Sequence, residues 1–271
     1  MLNNEIQRRL TSVERLLPQL QQLLTTMQHQ DLQIRTKSTV RDLVTKADVT
    51  SDKIIVDFLQ TQFPEDSILA EESGNHTVNS NSDFTWCIDP IDGTVNYAHG
   101  IPLYSVSFGI IHNQQPVGGL VFIPQLNDTY RAQLNGGATK NGQPIHVSNH
   151  DTLQSSMIVT GFPYQRMEMI DQLTETIRTM LKSARGIRRT GSAALDLCWL
   201  AEGRFDGHYE WHLSPWDTCG GIAILNEAGG KATNQNGDEY RLGDTLMIAS
   251  NGHIHNELSQ TLLSVKYDNS R

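Results

Sequence analysis

Apolar residues recur at Ile6, Leu10, Val13, Leu17, Leu20, Leu24 and Met27, a spacing that predicts an amphipathic helix over residues 4–29. Pro18 falls inside that run, and a ring without an N–H kinks a helix or splits it in two. A second helix is predicted over 50–63, with Ile54, Ile55, Phe58 and Leu59 on one face. Between them, residues 36–42 are polar and aperiodic, which predicts a loop. From Ser67 the pattern shortens to strands at 67–70, 84–88, 104–112, 117–123 and 128–134, closed by a Gly- and Asn-rich turn region at 135–143. Strands at 156–160 and 186–189 then alternate with helices at 165–182 and 192–203. A helix over 215–228, a strand at 245–249 and a helix over 254–264 finish the chain. An antiparallel first half and an alternating second half predict layered α/β sheets with helices between and outside them. No internal repeat, low-complexity tract or long linker interrupts this pattern. Residues 1–271 are expected to form a single unit with a weak subdomain split near residue 145 (1–145 and 146–271).

Composition adds bounds rather than detail. The 271-residue chain is 38% hydrophobic and 19% charged, ordinary values for a globular protein with a substantial core. A net charge of −9 argues against a nucleic-acid polymer or an anionic membrane as partner. Small anionic substrates stay open, because bound divalent cations reverse the local field. No apolar run approaches a membrane span, and the N-terminus lacks the apolar region of a signal peptide. Cys87, Cys198 and Cys219 are an odd set without metal-type spacing among apolar or small neighbours. They read as reduced, buried thiols of a cytoplasmic protein. His253 and His255 read as surface or capping groups. The run Arg185, Arg188, Arg189 reads as solvated or interfacial, with Arg188 the one candidate for substrate contact.

The stretch Trp86-Cys87-Ile88-Asp89-Pro90-Ile91-Asp92-Gly93-Thr94-Val95-Asn96-Tyr97 carries the chemistry. It takes an apolar strand into two carboxylates and then into a Gly-Thr helix start. On a flat strand, Asp89 and Asp92 point to opposite faces. Pro90 lacks an N–H for the ladder, so it is expected to end the strand. The turn that follows folds Asp92 back beside Asp89, with the Ile91 carbonyl exposed between them. Gly93 admits close approach, and the Gly93 and Thr94 amides open a helix suited to phosphate. Hard oxygen ligands beside an anion seat suggest magnesium and a phosphate ester.

Three further acidic segments have ordinary readings of their own. Glu71 and Glu72 close a short apolar strand, as a solvated turn does. Ser214-Pro215-Trp216-Asp217 reads as a capping box. Asp48 suits a turn or a pre-helix position. Should these segments meet, their chemistry sharpens. Two carboxylates about 4 Å apart repel by about 4 kcal/mol at an effective dielectric of roughly 20, so a cluster needs protons or cations. Oxygen-only donors favour Mg²⁺ or Mn²⁺ over zinc.

Several elements fall in one order. They are Lys37 through Asp48, Glu71-Glu72-Ser73, Asp89-Pro90-Ile91-Asp92-Gly93-Thr94, Gly191-Ser192-Ala193-Ala194 with Tyr209-Glu210, and Pro215-Trp216-Asp217 through Glu227-Ala228-Gly229-Gly230. In that order and at these spacings the chain resembles the inositol monophosphatase family, within the wider group of lithium-sensitive, magnesium-dependent sugar and nucleotide phosphatases. The resemblance covers nearly the whole chain. It implies an αβαβα sandwich of the inositol monophosphatase/fructose-1,6-bisphosphatase type, of three or five layers and commonly a homodimer. It also implies hydrolysis of the phosphate monoester of a small polyol by metal-activated water, with two or three Mg²⁺ ions.

By the same resemblance Glu71, Asp89, the Ile91 carbonyl, Asp92 and Asp217 hold the metals. Asp48 and Thr94 orient and help deprotonate the water, Glu71 is counted with them as catalytic, and the Gly93 and Thr94 amides hold the phosphate. Gly191, Ser192, Ala193 and Glu210 contact substrate, with the last three facing its alcohol portion. Lys37 lies on a mobile loop near the phosphate and a weaker metal. Tyr97 replaces the usual phenylalanine, so its hydroxyl needs a partner if buried. Ala70 replaces a common glycine. Inositol monophosphate is the expected substrate. Fructose 1,6-bisphosphate, histidinol phosphate and a nucleotide 3′-phosphate are the alternatives, the last disfavoured by Val95-Asn96 after the Gly-Thr pair. The competing class is a non-catalytic cation-binding scaffold, which would not need Asp48 and Thr94.

Overall fold

The computed structural model describes residues 1–30, 32–37, 42–76 and 83–265, so residues 38–41 of the anticipated loop lie outside the described residues. The long N-terminal helix is two: α1 (Leu2–Glu14) and α2 (Leu17–Gln28). Pro18 sits in the first turn of α2, where a missing N–H leaves no bond unmade. A two-residue ribbon, β1 (Arg35–Thr36) and β2 (Leu43–Val44), leads into α3 (Lys46–Gln62). That helix begins ahead of residue 50 because Thr45 and Asp48 form a capping box at its start.

Strands β3 (Ser67–Ala70), β4 (Gly74–His76) and β5 (Phe84–Asp92) precede a one-turn helix, α4 (Thr94–Ala98). Then follow β6 (Ser105–His112), β7 (Gln115–Ile123), β8 (Asp128–Gln133), β9 (Ala138–Lys140) and β10 (Gln143–Pro144). These eight strands make one sheet in the order β10-β9-β8-β7-β6-β5-β3-β4, with β3 and β5 its one parallel pair. The rest of the chain gives β11 (Met157–Thr160), α5 (Ile170–Ser183), β12 (Gly186–Arg188) and α6 (Ala193–Ala201). It ends with β13 (Gly207–Trp211), α7 (Pro215–Glu227), β14 (Lys231–Thr233), β15 (Leu246–Ser250) and α8 (His255–Leu263). The second sheet runs β12-β11-β13-β15-β14. No described helix is long and apolar enough to cross a membrane.

Three cores stack these elements into five layers. Leu10, Leu24 and Leu59 of α1–α3 pack on Trp86, Phe108 and Leu120 of the large sheet. Val121 and Tyr130 on its other face join Leu197 of α6, Leu225 of α7, and Val159 and Met247 of the small sheet. Tyr209 and Ile248 face outward onto Met180 of α5 and Leu258 of α8. The order α, β, α, β, α is the five-layer form of the expected sandwich. The middle core draws on residues from both sides of position 145. Tyr97 is buried, and its hydroxyl finds the Leu24 carbonyl at 2.8 Å. His255 departs from its expected surface or capping place: it is buried, 2.9 Å from both Thr233 Oγ1 and Ser250 Oγ. All three cysteines are free and buried.

One contact sets the spacing between the large sheet and α7. Cys87, Gly109 and Gly119 stand side by side across β5, β6 and β7. A Cβ on Gly109 would lie 2.2 Å from Cys219 Sγ, and one on Gly119 would lie 2.2 Å from the Gly220 carbonyl oxygen. Glycine therefore lets helix and sheet backbones touch, two and three residues past Asp217 in α7. Gly119→Ala is expected to cost about 2 kcal/mol or more, since backbone must move to admit the methyl. Urea denaturation checks this, and a loss under about 0.5 kcal/mol, the range of an ordinary surface change, would refute the close approach.

Candidate active site

Strand β5 does not stop at Pro90. It runs to Asp92, and its ladder with β6 pairs Asp89 with Ser107 and Asp92 with Ser105. Three steps on one strand oppose two on the other, so one residue is extra. This is a β-bulge, placed where Pro90 has no N–H to pair, and it rephases the strand so that both acids face one side. The two carboxylates meet as expected, but through a bulge within the strand rather than a turn after it. Asp89 Oδ1 accepts the Ile91 N–H at 2.9 Å. Gly93 follows at φ 96° as the N-cap of α4, and a Cβ there would lie 3.1 Å from the Gly191 carbonyl oxygen.

Asp217 comes from the start of α7, where Ser214 is the N-cap and the Ser214 N–H donates to Asp217 Oδ2 at 2.7 Å. Carboxylate oxygens of Asp89, Asp92 and Asp217 lie within 4.8 Å of one another. Capping and clustering are therefore one arrangement, since a carboxylate that accepts a backbone N–H keeps lone pairs for the site. Asp48 repeats the device. Its Oδ2 accepts the Thr45 N–H at 2.8 Å and the Thr45 hydroxyl at 2.6 Å, while Oδ1 accepts the Thr94 hydroxyl at 2.9 Å. Thr94 Oγ1 also lies 3.1 Å from the Ile91 carbonyl oxygen.

Asp92 is held from a second direction, at the start of α6. The Ser192 hydroxyl (2.6 Å) and the Ala194 N–H (2.7 Å) donate to Oδ2, and the Ala193 N–H reaches Oδ1 at 3.2 Å. Ser192 and Ala193, expected to face the alcohol, thus direct polar hydrogens at Asp92. Lys37 Nζ lies 2.8 Å from Glu71 Oε1 and also pairs with Glu72. Glu72 was legible as the neighbour of Glu71 but not as a partner of Lys37.

The electrostatics follow from crowding. Desolvation first, and then the charges of Glu71, Asp92 and Asp217, push the Asp89 carboxyl well above the ordinary range. Asp217 is raised by desolvation and then by Glu71 and Asp92. Burial lifts Asp92 to about 6, against the bonds from Ser192, Ala194 and Ala193. Burial likewise lifts Glu72 to about 7, opposed by the Lys37 hydrogen bond. Lys37 itself is lowered by burial but raised more by Glu71 and Glu72, and ends above its usual value. The site is therefore short of positive charge. Its donors are oxygens alone, which fits a hard divalent cation.

Every site residue expected from the sequence except Asp48 and Arg188 lines one cavity of about 290 Å³, and Asp48 is buried behind Thr94. Glu210 reaches the cavity from β13, a strand absent from the elements that the apolar pattern predicts although His208 and Glu210 alternate with Tyr209 and Trp211. Arg189, not Arg188, lines the wall. Tyr164 and Asp196 also line it, and neither carries a sequence motif that points there.

The model of the inositol monophosphatase family matches residues 7–267. A Synechocystis sp. protein named inositol-1-monophosphatase is 41% identical over 230 residues, which cover 85% of this chain and 80% of that protein. A Neisseria meningitidis protein named as a putative Nus factor, SuhB, is 38% identical over 213 residues, covering 79% and 81%. The solved structure of an IMPase from Thermotoga maritima superposes with a TM-score of 0.87 at 34% identity, covering 95% of this chain and 98% of that one.

A divalent cation entering this cluster must displace protons held by the raised carboxyls. Titrating metal-free protein with Mg²⁺ in weak buffer is expected to release protons, with more per ion at pH 6 than at pH 8, because Asp92 sits near 6. Release that is absent at both pH values would show that these acids do not take the ion.

Proposed function

The chain belongs to the inositol monophosphatase family and is a phosphoric monoester hydrolase, and from that premise we propose that it hydrolyses the monophosphate ester of a small polyol, inositol monophosphate foremost, with Mg²⁺. The observation that carries this reading is the meeting of Asp89, Asp92 and Asp217 within 4.8 Å at a cavity backed by the Asp48–Thr94 pair. These three acids, with Glu71 and the Ile91 carbonyl, would hold the cations. Bound there, Mg²⁺ supplies Lewis acidity toward water and the phosphate oxygens.

Proton handling falls to Thr94 and Asp48. The Thr94 hydroxyl gives its hydrogen to Asp48 Oδ1 and offers a lone pair toward the attacking water. Burial raises the Asp48 carboxyl, in spite of the bonds from Thr45 and Thr94, and so makes it a better acceptor. Thr45 keeps that carboxylate from turning, through its amide and hydroxyl. The Gly93 and Thr94 amides hold the phosphate, and Lys37 adds positive charge beside it. Gly191 and Glu210 flank the alcohol. Ser192 and Ala193 contribute by fixing Asp92 at the same wall. The Ser192 hydroxyl donates to Asp92 and has no histidine partner among the described residues, so attack by water without a covalent enzyme intermediate is favoured. A net charge of −9 favours a small ester over a nucleic-acid polymer, even though the Neisseria relative is named as a Nus factor.

Phosphate release from inositol 1-phosphate is expected to need Mg²⁺, to fall with Li⁺, and to exceed release from fructose 1,6-bisphosphate, histidinol phosphate and adenosine 3′,5′-bisphosphate. A different ranking would reassign the alcohol. No release from any ester, with Mg²⁺ still bound in calorimetry, would favour the scaffold. Asp92→Asn is expected to keep the fold by circular dichroism and to lower kcat by at least about 100-fold. Near-normal turnover at saturating Mg²⁺ would remove Asp92 from the site.

A further inference from the structure

Among the described residues, the one side chain that hydrogen-bonds Glu210 is His208. Both stand on β13 two residues apart, so they project from the same face of the sheet. The imidazole is fully buried, flanked in the ladder by Val159 and Ala249, and its Nε2 lies 3.1 Å from Glu210 Oε2. Its other nitrogen, Nδ1, has no hydrogen-bond partner among the described residues. A buried polar atom left unpaired weakens a fold, so packing does not explain a histidine here. An apolar side chain would suit that layer better. Among the described residues, the only hydrogen bond of this ring is to a residue in the cavity wall.

Glu210 is confined from the other side as well. A Cβ on Gly161 would lie 2.0 Å from Oε1 and 2.4 Å from Oε2, so the carboxylate occupies space that only a glycine leaves open. The carboxylate thus abuts the Gly161 backbone on one side and the His208 ring on the other, and its open side is the cavity.

We propose that His208 is a positioning residue that fixes the Glu210 carboxylate for the alcohol half of the substrate, and thereby selects esters whose alcohol carries free hydroxyls. The imidazole Nε2–H occupies one lone pair of Oε2 and leaves the remaining acceptor sites in a fixed direction toward the cavity. A substrate hydroxyl then meets an acceptor whose orientation is already set, which is what turns a hydrogen bond into discrimination. This inference rests on the placing of Glu210 at the alcohol under Proposed function.

Steady-state kinetics on the Mg²⁺-loaded enzyme test it, with inositol 1-phosphate and with p-nitrophenyl phosphate, whose alcohol half has no free hydroxyl. His208→Leu is expected to raise KM for inositol 1-phosphate about tenfold, or about 1.4 kcal/mol, with kcat little changed. The ratio of kcat/KM for the polyol ester to that for the aryl ester should fall by the same factor. His208→Gln, whose amide nitrogen can stand in for Nε2, should restore the ratio, and Tm of His208→Leu should not drop because the orphaned nitrogen is gone. On a Glu210→Gln background, His208→Leu should have no further effect on the ratio. A ratio that collapses in Glu210→Gln but survives His208→Leu would overturn the positioning role alone. A ratio untouched by either change would overturn it together with the placing of Glu210. A lowered Tm with equal losses on both esters would reduce His208 to a packing residue.

Discussion

Like charges resist being gathered, and the site of this protein is a gathering of carboxylates. Asp89 and Asp92 are buried, and Asp217 stands within 4.8 Å of both. At such distances, repulsion of about 4 kcal/mol per pair would drive flexible acids apart. Each is instead tied to the backbone by an N–H of its own: Asp89 by Ile91, Asp92 by Ala193 and Ala194, Asp217 by Ser214. Asp48 is tied by Thr45 in the same way. Three of these four ties lie at helix starts, where N–H groups lack partners and favour a negative neighbour. The fourth closes the β5 bulge. The strain of the cluster is thus carried by backbone that must be satisfied in any case.

Those ties have to be brought to one place, and the five layers do that. The β5 bulge turns two acids out of the large sheet toward the middle helices. Helix α7 can lie against that sheet only because Gly109 and Gly119 have no side chain to hold it off. Helix α6 packs beside it, and its first amides end on Asp92. Sheet, bulge and two helix starts converge without any loop having to carry a ligand far from regular structure.

Much of this was legible in the chain, and the misses have physical causes. The apolar stripes of α1, α2 and α3 are locally complete signals, as is the break at Pro18. Pro90 announced an interruption beside Asp89, but the form of it depends on Ser105 and Ser107 across the ladder, and register is not a local property. The capping box at Ser214 is readable outright, whereas the double use of Asp217, as cap and as member of the cluster, shows only in three dimensions. Strand β13 escaped notice because it is buried on both faces and carries His208 and Glu210 where an inward face ordinarily shows apolar residues. The pairing of Ser192 with Asp92 spans 100 positions and has no trace in either segment. Long-range contacts of that kind emerge only once the layers are stacked.

The two sheets contribute different walls of the cavity. Asp89 and Asp92 belong to the large sheet and its bulge, whereas Glu210, its partner His208 and neighbouring Gly161 belong to the small sheet and the loop leaving it. The acid pair of β5 and the Glu210 carboxylate therefore reach one cavity from two different sheets. Such a split makes the scaffold evolvable. On the proposed placing of Glu210 at the alcohol, substitutions on β13 or in the loop after β11 would shift the range of esters accepted while the acidic cluster stays as it is, so a lineage could change its diet without relearning its chemistry.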